Sequence, residues 1–339
     1  MKTRLVRVDI MVGLAMIFVV LGHQSFDFAP NWYNFSMHDW IYRFHMEVFI
    51  FLSSFLIRYS YKEIHSLIEY LRYIGRKFKK FFIPFLLVGV AVAGAKAWNA
   101  GLAKADFWNV LWQSVRGLLL YPMASEASFL WYIYVLFGFY LVSPLVFKLP
   151  SWLKMTLCVL SMALPLVHAG HFLGGFLFCK YTFFYFLGVV CAEDFDQLQN
   201  IKTWVLGLLS VPFLFWSVRY MMWRSHPELG STFVEVGPQG YDILTGCMAL
   251  PLFYFLARLL EHCSWTTTVL ARISADCFWI YLLQMFVAWG CAYGFTATGW
   301  NDIVPFWVFI IVSGTLSIAF PILCSWTSTK VGTIGRKQK

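Results

Sequence analysis

Charge is what this chain lacks. Of its 339 residues only 13% are Asp, Glu, Lys or Arg, against roughly 25% in soluble domains. That shortage excludes a soluble globular protein, which needs polar surface. Nucleotide-binding glycine motifs are missing, as are internal repeats and low-complexity tracts. The eight cysteines include no CxxC pair, and no His/Cys spacing suits zinc, so no metal is expected. Those cysteines read as small apolar packing residues.

What is abundant is apolar surface. Sixty per cent of the residues are hydrophobic and 20% aromatic, more than a soluble core can hide. A membrane helix needs about 20 apolar residues, and windows of that kind recur from end to end. The expected fold is therefore all-α, a polytopic membrane bundle of about ten helices forming a single domain over 1–339. The expected spans are 8–25, 40–58, 81–98, 129–147, 152–168, 176–193, 203–220, 240–258, 274–297 and 303–325. Residues 99–128 fit none of them and read as an interfacial amphipathic helix or a short re-entrant piece. The first span is not expected to be a cleavable signal, because no small-residue cleavage site follows Gln24.

The net charge of +9 is distributed as a membrane topology signal, not as a nucleic-acid footprint. With these spans, one side carries Lys2, Arg4, Arg7, Arg58, Lys62, Arg72, Arg76, Lys77, Lys79, Lys80, Lys148, Lys154, Lys202, Arg258, Arg272, Lys330, Arg336, Lys337 and Lys339. Those are 19 of the 26 basic residues. The other side has Lys96, Lys104, Arg116, Lys180, Arg219 and Arg224, and Arg43 lies within a span. Positive charge marks the cytoplasmic face. Both termini are thus expected inside the cell, in a plasma membrane, with lipids as partners and no nucleic acid.

Ionisable groups inside lipid are costly and point to function. His23 ends an apolar run that begins after Asp9, roughly 20 Å farther along the helix. His45 is expected at a similar depth, because the chain turns back through a short loop. Arg43 and Glu47 are four apart, a spacing that pairs them on a helix. Two histidines, a carboxylate and an arginine at one mouth fit proton transfer; they equally fit a buried ion pair beside two interfacial histidines. The stretch Arg72 to Pro84 carries Arg76, Lys77, Lys79 and Lys80. It reads either as a phosphate clamp or as a positive-inside anchor touching anionic lipid.

Taken in order, these stretches resemble the acyltransferase 3 family of membrane O-acyltransferases. Its opening Asp, Gly and Val-Val-Leu-Gly-His are matched by Asp9, Gly13 and Val19, Val20, Leu21, Gly22, His23. Its second-helix motif is echoed by Phe44, His45, Met46 and by Phe49, Ile50, Phe51, Leu52, Ser53. Its basic pair looks like Lys77 and Lys80 ahead of Phe81 to Pro84. Weaker echoes are Phe129 to Ile133, Tyr185 to Gly188 and Ile280 to Leu283. The resemblance implies transfer of an acyl group, usually acetyl from cytosolic acetyl-CoA, to a sugar hydroxyl of an extracytoplasmic glycan or lipid-linked saccharide. It implies His23 and His45 as catalytic residues and Lys77 and Lys80, with Arg76 beside them, as donor-binding.

Glu47 is then expected as a third catalytic residue, orienting or tuning one of the histidines, with Asp9, Arg43 and Ser53 as structural or tuning residues. No serine or cysteine motif argues for a covalent acyl-enzyme. Four characteristic positions depart from the family pattern: Val12 replaces a basic residue, Glu47 a proline, Ser54 a glycine and Gln284 a histidine. Two other readings stand beside the enzyme: a transporter or flippase of lipid-linked sugars, and an inactive relative in a polysaccharide-assembly complex.

Overall fold

A computed structural model describes residues 5–99, 104–167, 169–225 and 237–337. They form helices, with no strand among the described residues. In chain order these are α1 (Val6–Gly22), α2 (Asp39–Ile41), α3 (His45–Tyr59), α4 (Leu67–Lys77), α5 (Ile83–Asn99), α6 (Lys104–Leu120) and α7 (Trp131–Val146). There follow α8 (Ser151–Ser161), α9 (Gly175–Glu193), α10 (Phe195–Gln199), α11 (Thr203–Ser225) and α12 (Gly237–Leu260). The last are α13 (Ser264–Ala275), α14 (Cys277–Ala297) and α15 (Phe306–Lys337).

Eight helical runs are long and apolar enough to cross a membrane among the described residues. Each matches an expected span. The remaining two expected spans come out shorter. α1 has 17 residues, about 25 Å of helix, which is the lower end of a crossing. The stretch 152–168 yields the 11-residue α8 and a tight turn at Leu164–Leu166. Pro165 lacks the N–H that a longer helix would need. The ambiguous 99–128 stretch contains α6, a helix packed on α5.

The chain divides into two compact units, Met1–Phe49 with Asn200–Lys339, and Ile50–Gln199. In the first unit α1 packs against α12, α13, α14 and α15, while α11 with α12 and α14 with α15 form close pairs. The approach of α1 to α13 explains Gly13: a Cβ there would stand 2.6 Å from the Leu270 carbonyl oxygen. In the second unit α4 packs on α7, α5 on α6 and α8 on α9. Gly188 of α9 lies against the backbone of Phe51 in α3, where a Cβ would have no room.

The segment expected as a basic loop is helical. Leu67–Trp98 is one run, started by Ser66, whose hydroxyl accepts from the Glu69 N–H at 3.2 Å. At Phe78–Phe82 its turns widen to the i→i+5 pattern. A wider turn advances each residue by a smaller angle, so Lys80 is rotated away from the face of Lys77. α4 is strongly two-faced: Leu67, Ile68 and Leu71 are exposed on one side, and Glu69, Arg72 and Arg76 occupy the other.

Candidate functional site

The first unit brings the two histidines together around one tyrosine. The Tyr42 ring lies 4.7 Å from that of His45 and 6.3 Å from that of His23, both edge-on. A third imidazole, His38, lies tilted against it at 4.3 Å. The sequence carried no signal for Tyr42, one aromatic among many.

Both histidines are oriented by the same backbone device. His23 Nδ1 is 2.7 Å from the Val19 carbonyl oxygen, and His45 Nδ1 is 2.8 Å from that of Ile41. A carbonyl can only accept, so Nδ1 carries a proton in each ring, and in the neutral imidazole Nε2 keeps its lone pair. The carbonyls are within reach because the backbone tightens locally. The His23 N–H bonds to Val20 and the Phe44 N–H to Ile41, three residues back in each case. Val19 is thereby relieved of its usual helical partner, a shortage common at helix ends. Gln284, which holds the place of the family-like late histidine, lies 3.5 Å from His23 Nδ1. Its amide oxygen has no hydrogen-bond partner among the described residues, and turning the amide over sets that oxygen against the Nδ1 proton.

Arg43 does not share a helical face with Glu47, because it lies in the turn before α3. Its Nη1 instead meets Asp242 Oδ1 at 3.2 Å, and its Nε donates to the Tyr220 hydroxyl at 3.3 Å. Asp242, an ionisable group inside the expected span 240–258, is a residue that the spacing of motifs did not single out. Glu47 is buried, at 1% exposure. Next to this turn Asp39 pairs with Arg224. At the start of α1, Asp9 accepts a hydrogen bond from Ser274 at 3.0 Å, and Arg7 is held by both oxygens of Glu261 at 2.7 and 2.9 Å. Val12 is buried.

The second unit holds a cavity of about 310 Å³, lined by Lys62, Arg72, Arg76 and Lys77 together with Tyr61, Tyr73, Tyr140, Glu63 and Glu69. The Lys77 ammonium is held over the Tyr140 ring at 4.2 Å, with Tyr73 and Phe81 at 5.6 and 5.8 Å. Such contacts fix a cation without neutralising it. Lys80 does not line this cavity and lies over Phe81 at 5.0 Å. Lys62, which lies outside the Arg72–Pro84 stretch, lines the same cavity as Arg72, Arg76 and Lys77. Elsewhere in this unit Ser53 shares a 2.6 Å hydrogen bond with the Tyr132 hydroxyl. Arg58 and the buried Lys154 converge on Oε1 of Glu193, joining the end of α3 to α8 and α9.

Among the described residues no group of three His, Cys, Asp or Glu side chains is arranged to hold a metal ion. No curated protein and no solved structure matches the chain. The acyltransferase 3 family model, an acyltransferase domain, matches residues 5–326 and thus runs through both units. A polytopic helical membrane protein that fits this model over nearly its whole length belongs to the acyltransferase 3 family.

Proposed function

We propose that the protein moves an acyl group, in the first instance acetyl from acetyl-CoA, onto a sugar hydroxyl of an extracytoplasmic glycan or lipid-linked saccharide. The observation that carries this reading is the common tautomer of His23 and His45. Each keeps a basic Nε2, and both rings pack on Tyr42. One Nε2 takes the proton of the acceptor hydroxyl as its oxygen attacks the thioester carbonyl. The carbon–sulfur bond breaks, and the thiolate leaves with that proton. General-base help of this kind is worth about 10² to 10⁴ in rate.

The donor's phosphates are assigned to the cavity lined by Lys62, Arg72, Arg76 and Lys77, a concentration of cations suited to several phosphate charges. By the charge ladder this cavity is cytoplasmic, as are both termini, in the plasma membrane.

The test is transfer in lipid nanodiscs, using the full-length protein, acetyl-CoA labelled in the acetyl group and a saccharide acceptor. Alkali-labile label on the saccharide, lost in His23→Ala and His45→Ala, is the expected result. Movement of unlabelled saccharide across sealed vesicles without ester formation would support the transporter reading. Neither transfer nor movement would leave the inactive relative.

A further inference from the structure

The turn that carries Tyr42 is clamped from both sides by ion pairs of opposite sense. Asp39, three residues before Tyr42, is paired with Arg224 of α11. Arg43, one residue after it, is paired with Asp242 of α12 and bonded to Tyr220 of α11. The segment thus offers an acid to one base and a base to one acid, and neither pair can exchange partners without setting like charges together. The Arg43 ring contact reinforces this, its guanidinium carbon lying 5.9 Å from the centre of Tyr220. Asp242 is 10% exposed in its side chain and Arg43 30%, so the pair is partly shielded from water.

What this clamp holds is the break between α2 and α3. Over Tyr42 to Phe44 the chain is a turn, with the Arg43 N–H on Trp40 and the Phe44 N–H on Ile41, at 3.1 and 3.2 Å. A continuous helix would draw the Ile41 carbonyl to the backbone N–H of His45. The turn leaves that oxygen near Phe44 with a lone pair for the imidazole, which it meets at 2.8 Å. The tautomer of His45 therefore depends on the turn, and the turn on its lateral anchors.

We propose that Asp242 and Arg224 are positioning residues for the acyl transfer. Through Arg43 and Asp39 they hold the Tyr42 turn, whose Ile41 carbonyl keeps the His45 proton on Nδ1 and its lone pair on Nε2. The proposal rests on the catalytic reading of His45 for its effect on rate, but its structural half does not.

The experiment compares Asp242→Asn, Asp242→Glu and the doubly neutral Arg43→Gln with Asp242→Asn, all as full-length protein in nanodiscs. One readout is independent of activity: the ¹⁵N chemical shifts of His45 in [¹⁵N]histidine-labelled protein, identified by the signal missing in His45→Gln. The wild type is expected to show the Nδ1-protonated tautomer, and Asp242→Asn a mixture. In transfer assays Asp242→Asn is expected to lower kcat by about 10²-fold, the cost of a small misplacement of a reacting group, with KM for acetyl-CoA unchanged. Asp242→Glu should recover most of it.

The doubly neutral variant lacks the same anchor and should show the mixture as well. An unchanged tautomer in Asp242→Asn overturns the proposal, as does a loss confined to thermal stability with kcat per folded molecule intact. If the wild type transfers no acyl group, the catalytic reading falls, and the ¹⁵N spectra alone decide whether Asp242 holds the ring.

Discussion

The Nδ1 of His45 faces the carbonyl oxygen of Ile41 at 2.8 Å, and that single contact determines which nitrogen of the ring can act as a base. The same relation recurs between His23 and Val19. If these lone pairs handle the acceptor's proton, His23→Ala and His45→Ala should each lower acyl transfer by at least about 10²-fold. Both variants should insert at near-normal levels, because losing a polar group costs a membrane helix little. Transfer at the wild-type rate in membranes containing either variant would remove that histidine from the chemistry.

Tyr42 touches all three imidazoles through its ring, and no step is assigned to its hydroxyl. Tyr42→Phe should then stay close to wild type, while Tyr42→Ala should lose roughly ten-fold or more through misplaced rings. The ring is 40% exposed, so neither change should much alter the melting temperature. A larger loss in Tyr42→Phe than in Tyr42→Ala would assign the phenol a direct role.

The cationic cavity gives a sharper contrast than charge counting. Lys77 lines it and Lys80 does not. Losing a charge-assisted contact of about 1.5–3 kcal/mol predicts that Lys77→Gln raises KM for the acyl-CoA roughly ten-fold or more. Lys80→Gln, which removes the same charge three residues away, should leave KM nearly unchanged. Arg72→Gln should behave like Lys77→Gln. Equal effects of Lys77→Gln and Lys80→Gln would show that the segment acts only as a charge anchor.

Topology can be read from a native thiol. Of the eight cysteines only Cys263, between α12 and α13, is exposed. The charge ladder puts it in the cytoplasm, so an impermeant maleimide should label it only after the membrane is opened. The backbone N–H of Thr266, and then its hydroxyl, hold the thiol below the usual range. More thiolate is therefore present at a given pH, and labelling should persist to lower pH than for an ordinary thiol. An exposed Asn31→Cys should show the opposite sidedness. Labelling of Cys263 in sealed right-side-out cells would invert the whole arrangement.

Much of this was legible in the residues. Apolar windows located eight of the crossing helices, because lipid enforces both length and composition. Cost inside lipid singled out His23, His45 and Glu47. Spacing failed where helical regularity failed. Arg43 and Glu47 look paired only if a helix runs through Tyr42–Phe44, and Lys77 and Lys80 look paired only if the turns at Phe78–Phe82 are ordinary. Partners far apart in the chain, such as Asp242 for Arg43 or Tyr140 for Lys77, leave no local trace.

α4 has a consequence beyond its place in the fold. One face supplies Arg72 and Arg76 to the cavity wall, and the opposite face presents Leu67, Ile68 and Leu71 outward. A helix so divided floats at the boundary between hydrocarbon and headgroups. Such a helix is sensitive to the packing of the leaflet around it. If the cavity takes the donor's phosphates, KM for the acyl-CoA should shift with the chain length and saturation of the surrounding lipid, through α4 and without touching a histidine.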